Sequence, residues 1–338
     1  MQQEITRVAL DAMGGDNAPG ELVKGAVDAV NGRSDIKVLL VGQQDVVEKE
    51  LKQYSYPKEQ IEVVHAEEVI ETAEPPVNAI RRKKDSSIVV GMKLVKEGQA
   101  DAFVSAGSTG ALLMGATFLV KRIRGVKRAA LAPILPTATT PFMLLDAGAN
   151  NDCRPEMLVQ FAIMGSAYMQ NVMHVDKPRV ALLNVGAEET KGRELELESY
   201  VQLAQAPVNF IGNIEARELP AGAADVVVTD GFTGNVALKL YEGMGKFMAH
   251  QMKGNLFAGV AGKLAALLIL PKIKALTKKM DYKAVGGAVM LGVQKPVIKA
   301  HGSSDGTAFF NAIRQAKDCV AGNVVQTIAE NTGKPVKK

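Results

Sequence analysis

The 338-residue sequence contains no tryptophan, only 5% aromatic residues, two cysteines and four histidines. Two cysteines, Cys153 and Cys319, cannot build a disulfide framework, so a reducing cytoplasmic setting is expected. Two distant thiols and four scattered histidines make a poor metal site, and neither metal nor cofactor is expected. No apolar run reaches the ~18 residues of a spanning helix; the longest, Leu256–Leu270, is interrupted by Lys263. The polar start Met1–Glu4 followed by strand-like Ile5–Met13 does not read as a secretory leader. Aromatic residues do not interleave with the basic clusters, which argues against nucleic acid.

Several familiar motifs are also missing. No Gly-x-Gly-x-x-Gly follows a strand, no Gly-x-x-x-x-Gly-Lys-Ser/Thr occurs, and His-Glu-x-x-His and Gly-x-Ser-x-Gly are absent. The usual dinucleotide fingerprint, P-loop, zinc-protease helix and nucleophile elbow are therefore unsupported.

What is abundant is glycine, 32 residues. Short β-branched apolar runs alternate with Gly-rich turns and helical stretches. The runs predict strands at Arg7–Met13, Ile36–Val41, Ile61–His65, Ala102–Ser105, Phe142–Asp146, Arg179–Val185, Val208–Ile211 and Asp225–Thr229. Helices are expected at Ser87–Glu97, Glu156–Met169 and Asn235–Met252. This alternation predicts a doubly wound, mostly parallel α/β sheet in one catalytic domain over residues 1–335. One stretch, 245–292, departs from it as a helical excursion.

Ligands of such sheets bind beyond the carboxyl ends of the strands. The strand ends here lead into Asp11-Ala-Met-Gly14-Gly15-Asp16, Ser105-Ala-Gly107-Ser108-Thr109-Gly110, Asp146-Ala-Gly-Ala-Asn150, Asn184-Val-Gly186-Ala-Glu188, Gly212-Asn-Ile-Glu215 and Thr229-Asp230-Gly231-Phe-Thr233-Gly234-Asn235. Glycine lets backbone N–H groups face a ligand, and a following helix N-terminus adds partial positive charge. The recurrence of such loops predicts anion binding.

Some polar residues read in more than one way. His301, at the end of Val297–Ala300, is either a group in the site or a turn histidine bonded to backbone. Lys191 and Arg193 follow the acidic turn Glu188-Glu189; either neutralises bound phosphate or pairs with those acids, with Lys191 preferred. Asp11, Asp146 and Asp230 end three strands, where carboxylates commonly cap turns. Cys153 reads as an incidental thiol rather than an acyl acceptor.

Taken in order, these loops resemble the PlsX family of phosphate acyltransferases of bacterial phospholipid synthesis. The resemblance is carried by Leu10–Asp16, Ala79-Ile-Arg81, Ser86-Ser87, Leu94–Gly98, Val104–Ala111, Asp146–Asn150, Leu183–Gly186, Lys191-Gly192, Asp230–Asn235 and Val297–Gly302. Ser108 stands where the family usually has asparagine. The resemblance implies a phosphotransacetylase-like fold, phosphorolysis of fatty acyl-acyl carrier protein to acyl phosphate, a homodimer, and delivery to a membrane glycerol-phosphate acyltransferase. On this reading Lys191, His301 and Asp230 are the candidate catalytic residues. Asp11, Gly14, Gly15, Asp16, Arg81, Ser105, Gly107, Ser108, Thr109, Gly110, Asp146, Asn150, Asn184, Gly186, Gly231, Thr233, Gly234 and Asn235 form the expected phosphate and substrate site. A short-chain phosphotransacetylase acting on acyl-CoA, and a noncatalytic scaffold for lipid synthesis, are the competing readings.

The acidic carrier protein expected of this family would meet one of two basic clusters, Arg81–Lys84 or Lys121–Arg128. A third basic region, Lys246–Lys299, holds ten lysines against one acid, Asp281. Within it, Leu256, Phe257, Val260, Leu264, Leu267 and Leu268 recur at helical spacing, and Lys272, Lys274, Lys278 and Lys279 follow Pro271. Dimer packing explains the apolar stripe. Reversible contact with an anionic membrane surface explains both stripe and lysines, since each lysine near such a surface contributes about 1 kcal/mol. Changing Leu267 and Leu268 together to Glu should therefore abolish flotation with anionic liposomes. Undiminished flotation of an intact dimer would remove the membrane role.

Overall fold

The computed structural model describes residues 5–251 and 286–332. All eight expected strands form, with ends shifted by a few residues, as β1 (Thr6–Asp11), β2 (Ile36–Gly42), β3 (Ile61–His65), β4 (Ala102–Ser105), β7 (Phe142–Leu145), β8 (Arg179–Asn184), β9 (Asn209–Glu215) and β10 (Val226–Val228). Four short strands join them: β5 (Ala130–Ala132), β6 (Ile134–Leu135), β11 (Ala288–Leu291) and β12 (Val297–Lys299).

The fold is the expected mostly parallel α/β architecture, with its strands shared between two sheets. The first has the order β3-β2-β1-β4-β12-β11-β5 and the second β6-β7-β10-β8-β9. Antiparallel pairing is confined to β11 with β12 and β5, and to β6 with β7. The inner strands are apolar on both faces because helices cover both sides; β4, β7 and β10 are buried at every residue.

The chain crosses between sheets at β5 and β6, which are separated by Pro133. Proline has no N–H for a ladder, but its carbonyl accepts from Leu144 of β7 at 3.1 Å. The Ala147 N–H reaches Leu131 of β5 at 2.9 Å. One continuous apolar cluster then draws on both sheets, from Val8 and Leu10 to Met143, Leu145 and Val226. Helix α6 (Pro155–Asn171) threads through it, with Phe161 and Tyr168 fully buried.

The remaining labelled helices are α1 (Gly20–Gly32), α2 (Gln44–Leu51), α3 (Pro76–Arg82), α4 (Ser87–Lys96), α5 (Thr109–Gly115), α7 (Glu194–Leu203) and α8 (Gly231–Gln251); two more, Gly306–Ala321 and Val324–Thr332, close the chain. Helix α8 starts four residues earlier than the apolar spacing suggests, because it begins directly at the glycine-rich loop. The proposed membrane residues, Leu256 through Lys279, lie outside the described residues. Among the described residues, no helix is long and apolar enough to cross a membrane.

Where α1 crosses Gly306–Ala321, a Cβ at Gly25 would lie 2.4 Å from Phe309 Cβ and 2.8 Å from the Gly306 carbonyl oxygen. The close backbone approach requires glycine despite its poor helix propensity. Gly25→Ala should therefore lower unfolding free energy by about 1–2 kcal/mol in urea titration, the overlap outweighing a propensity gain of about 1 kcal/mol. A stabilised variant would contradict this packing.

Candidate active site

Three adjacent strands of the first sheet end in polar loops. Asp11 closes β1 and is fully buried, as is Ser105 at the end of β4. Ser105 Oγ donates to Asp11 Oδ2 at 2.6 Å and accepts the Gly107 N–H at 2.9 Å; the Met13 N–H reaches Asp11 Oδ1 at 3.0 Å. Burial pushes the Asp11 carboxyl above the usual range, against these hydrogen bonds. A Cβ at Gly14 would lie 2.4 Å from Asp11 Oδ2 and 2.7 Å from Gly107 N, so glycine is the residue that fits there.

Ser108 Oγ accepts the Ala111 N–H at 3.4 Å and so caps α5. An α-helix leaves its first N–H groups without partners inside the helix, and those of α5 include Thr109 and Gly110. Thr109 is exposed. Gly110 packs under α3, where a Cβ would lie 2.5 Å from Pro76 Cγ. Arg81 sits further along α3 and is exposed.

From β12, Lys299 Nζ donates to the carbonyls of Ala106, at 3.1 Å, and Ala300. Burial pushes this ammonium down to about 8, while Asp11 and Asp16 pull it up. The Asp16 N–H bonds the Gly302 carbonyl at 2.8 Å, tying the first loop to the last. His301 lies between them and is exposed. Its Nδ1 accepts the Ser303 N–H at 3.2 Å and meets Ser303 Oγ at 2.9 Å. In the neutral ring the proton therefore resides on Nε2, which is left as a donor. Burial, with smaller contributions from Lys299, Lys239 and Lys246, holds His301 below the usual histidine range.

In the second sheet, β7, β10 and β8 end side by side. Asp146, fully buried, accepts the Leu131, Ala149 and Asn150 N–H groups at 2.9, 3.2 and 2.6 Å, and Asn150 Nδ2 at 2.9 Å. Gly234 lies hard against it: a Cβ would fall 1.8 Å from the Asp146 carbonyl oxygen. Gly231 packs on Asn150, where a Cβ would lie 2.6 Å from its carbonyl oxygen, and Asn235 lies beside Gly148.

Asp230 accepts from Thr233 N at 2.8 Å, Thr233 Oγ1 at 2.9 Å and Arg193 Nη2 at 2.6 Å. Burial opposes its ionisation, but these bonds outweigh burial and hold the carboxyl below the usual range. Arg193 is also paired with Glu196. At the end of β8, Asn184 Nδ2 donates to the Lys191 carbonyl at 3.0 Å, and Lys191 itself is exposed. A Cβ at Gly186 would lie 3.0 Å from Lys191 Cγ, so the lysine stem lies over that glycine.

The two groups of loops approach each other. Asn150 Nδ2 donates to the Ala129 carbonyl at 2.8 Å, and Ala149 packs on the cluster containing Phe103, Ala111 and Leu112 beneath α5. Helix α8 spans the gap, with Lys239 and Glu242 near enough to bear on the charges of Lys299 and His301.

The strand-end loops are thus assembled as two facing sets, and Asp11, Asp146 and Asp230 all cap turns or a helix. One reading of the sequence fails: Gly212–Glu215 is not a turn after a strand but lies within β9, which carries a register irregularity opposite β8. Gly212, at φ +98°, interrupted the apolar run and disguised its continuation. Lys191 and Arg193 are both exposed, and Arg193 is the one bonded to Asp230. Lys299 also belongs with these loops, and its sequence signal is a lysine inside an otherwise apolar strand end. Of the first basic cluster, Lys83 is engaged with Glu74 at 2.6 Å, while Arg81, Arg82 and Lys84 are exposed.

The fold is that of the phosphotransacetylases. A Streptococcus pyogenes phosphotransacetylase aligns with a TM-score of 0.62 at 15% identity, covering 95% of this chain and 94% of its own. The EutD phosphotransacetylase of Staphylococcus aureus gives 0.60 at 17% identity, covering 93% and 94%. The chain belongs to the fatty acid synthesis protein family, matched over residues 6–327, which is the PlsX family of phosphate acyltransferases, transferase enzymes. A relative named phosphate acyltransferase from Clostridium acetobutylicum is 48% identical over 322 residues, covering 95% of this chain and 97% of its own. Another so named, from Alkaliphilus oremlandii, is 50% identical over 324 residues, covering 96% of each.

Cys153 Sγ lies 3.4 Å from the Asn150 carbonyl oxygen. Burial, reinforced by Asp146, pushes this thiol up to about 12, and burial does the same to Cys319. Neither is a thiolate near neutrality. Iodoacetamide at about pH 8 should leave both unmodified in the native protein by mass spectrometry, with labelling appearing only on denaturation. Rapid native labelling of Cys153 would restore it as a candidate nucleophile.

Proposed function

We propose that this enzyme transfers a fatty acyl group from acyl carrier protein to inorganic phosphate, producing acyl phosphate for phospholipid synthesis. The observation that carries the reading is the facing of two glycine-rich loop sets around a site whose neighbouring thiol is held protonated. Such a site suits direct attack by a bound anion rather than a covalent acyl-enzyme.

Phosphate is already an anionic nucleophile near neutral pH, and a thiol of pKa about 8.5 leaves readily. The protein's task is to hold the two reactants in line and to stabilise the developing oxyanion. The Ser105–Gly110 and Asp230–Asn235 loops hold phosphate, α5 supplying the N–H groups of Thr109 and Gly110. Lys191, exposed at the end of β8, folds over the bound phosphate and neutralises it. A phosphate oxygen adds to the thioester carbonyl carbon; the C–S bond then breaks, and the sulfur leaves with its electron pair. The His301 Nε2–H donates a hydrogen bond to the departing sulfur and stabilises its charge, and the thiolate then takes its proton from water. Asp230 holds Thr233 and the start of α8 in place, with Arg193 fixing its charge.

The acidic carrier protein docks on the exposed basic residues of Arg81–Lys84 or Lys121–Arg128. The enzyme acts as a homodimer. Residues 255–280 bring it to the anionic inner face of the membrane, where a glycerol-phosphate acyltransferase takes up the product. The phosphotransacetylase fold keeps a second reading in play, transfer from short-chain acyl-CoA.

Long-chain acyl carrier protein should lose its thioester only when phosphate is added, with acyl phosphate as product. The matching acyl-CoA should react more slowly. Lys191→Ala should raise the phosphate KM about tenfold, equivalent to ~1.4 kcal/mol, with a smaller change in kcat. Thioester loss without phosphate would identify a thioesterase instead, and preference for short acyl-CoA would favour the second reading.

A further inference from the structure

Asp11, Ser105 and Lys299 stand abreast at the carboxyl ends of three parallel strands. β12 pairs with β4 so that Lys299 lies opposite Ser105, and the β1–β4 register of Leu10 with Val104 continues to Asp11 beside Ser105. Residues level with one another in neighbouring strands project from the same face of the sheet. The row therefore combines a carboxyl, a hydroxyl and an ammonium directly beneath the loop that leads into α5.

Its side chains grip one peptide group from both ends. Ser105 Oγ, itself bonded to Asp11, accepts the Gly107 N–H at 2.9 Å. Lys299 Nζ donates to the carbonyl of the same peptide, Ala106 O, at 3.1 Å. A peptide plane held at both its N–H and its C=O cannot rotate, and Ser108 follows it directly as the cap of α5.

We infer that Lys299 is a positioning residue of the phosphate site: by holding the Ala106 carbonyl it fixes the Ser105–Gly110 loop in the conformation that meets phosphate. This rests on the reading of that loop as a phosphate site. The groups facing the ammonium are Asp11 from β1, Asp16 from the following loop, Lys239 from α8 and the neutral His301 two residues on. Below its pKa of about 8 the ammonium holds the carbonyl as a charged donor; above it the neutral amine holds it less strongly. Phosphate affinity should accordingly fall as pH rises through about 8.

The test is calorimetric titration of inorganic phosphate into the full-length wild type, Lys299→Met and Lys299→Gln between about pH 7 and 9.5. Melting temperatures and acyl transfer are measured on the same preparations. At about pH 7, Lys299→Met should bind phosphate at least tenfold more weakly than wild type, and Lys299→Gln by a smaller factor. Wild-type affinity should fall severalfold across the pH range while both variants stay flat. Wild-type affinity in a folded Lys299→Met, an alkaline decline that persists in it, or no phosphate binding by wild type would each overturn the inference. If Lys299→Met does not fold, Lys299→Gln decides by the same criteria. Phosphate binding with these differences but without acyl transfer would overturn the catalytic reading and leave the Lys299 assignment standing.

Discussion

Asp146 ends β7 fully buried, and its carboxyl gathers N–H groups from its own turn and from Leu131 of the other sheet. That shared carboxyl, with the bond from Asn150 to Ala129, holds the second set of loops at a fixed height against the first. Burial drives such a group towards its neutral form, and the hydrogen bonds oppose this. Losing the donors would leave a buried carboxyl unsatisfied, which costs about 1–3 kcal/mol or more. Position and chemistry are thus coupled through one side chain.

The same economy recurs at the first sheet. Asp11 is satisfied by Ser105 and the turn N–H groups, and Lys299 is seated on two carbonyls a strand away. Arg193 is held between Glu196 and Asp230. These polar groups fix loop geometry. On the proposed reading, the N–H groups of α5 and the exposed Lys191 are what an incoming anion meets. Preorganisation of this kind suits a reaction whose nucleophile arrives already charged.

Strands β1 to β4 and β7 to β10 were legible because parallel strands covered by helices on both faces read as short unbroken apolar runs. β5, β6 and β11 were not, since two to four residues carry no periodicity and their pairing is settled by distant partners. The glycine-rich loops were legible as turns at strand ends, yet the partners of their acids were not. Arg193 and Lys191 are two residues apart and chemically alike in sequence; which one meets Asp230 depends on how β8 and β10 align.

By itself, the sequence determined the α/β class, the family through the order of its glycine-rich loops, and the lack of the usual dinucleotide, P-loop, zinc-protease and nucleophile-elbow motifs. These are local properties, written in periodicity, turn residues and motif spelling. Tertiary structure alone decided that the strands divide between two sheets and that the loops form two facing sets. It likewise decided that a lysine in an apolar strand lies level with Ser105 and Asp11. Such pairings depend on register between segments up to roughly two hundred residues apart in sequence, and register is set by packing across the whole core rather than by any one segment.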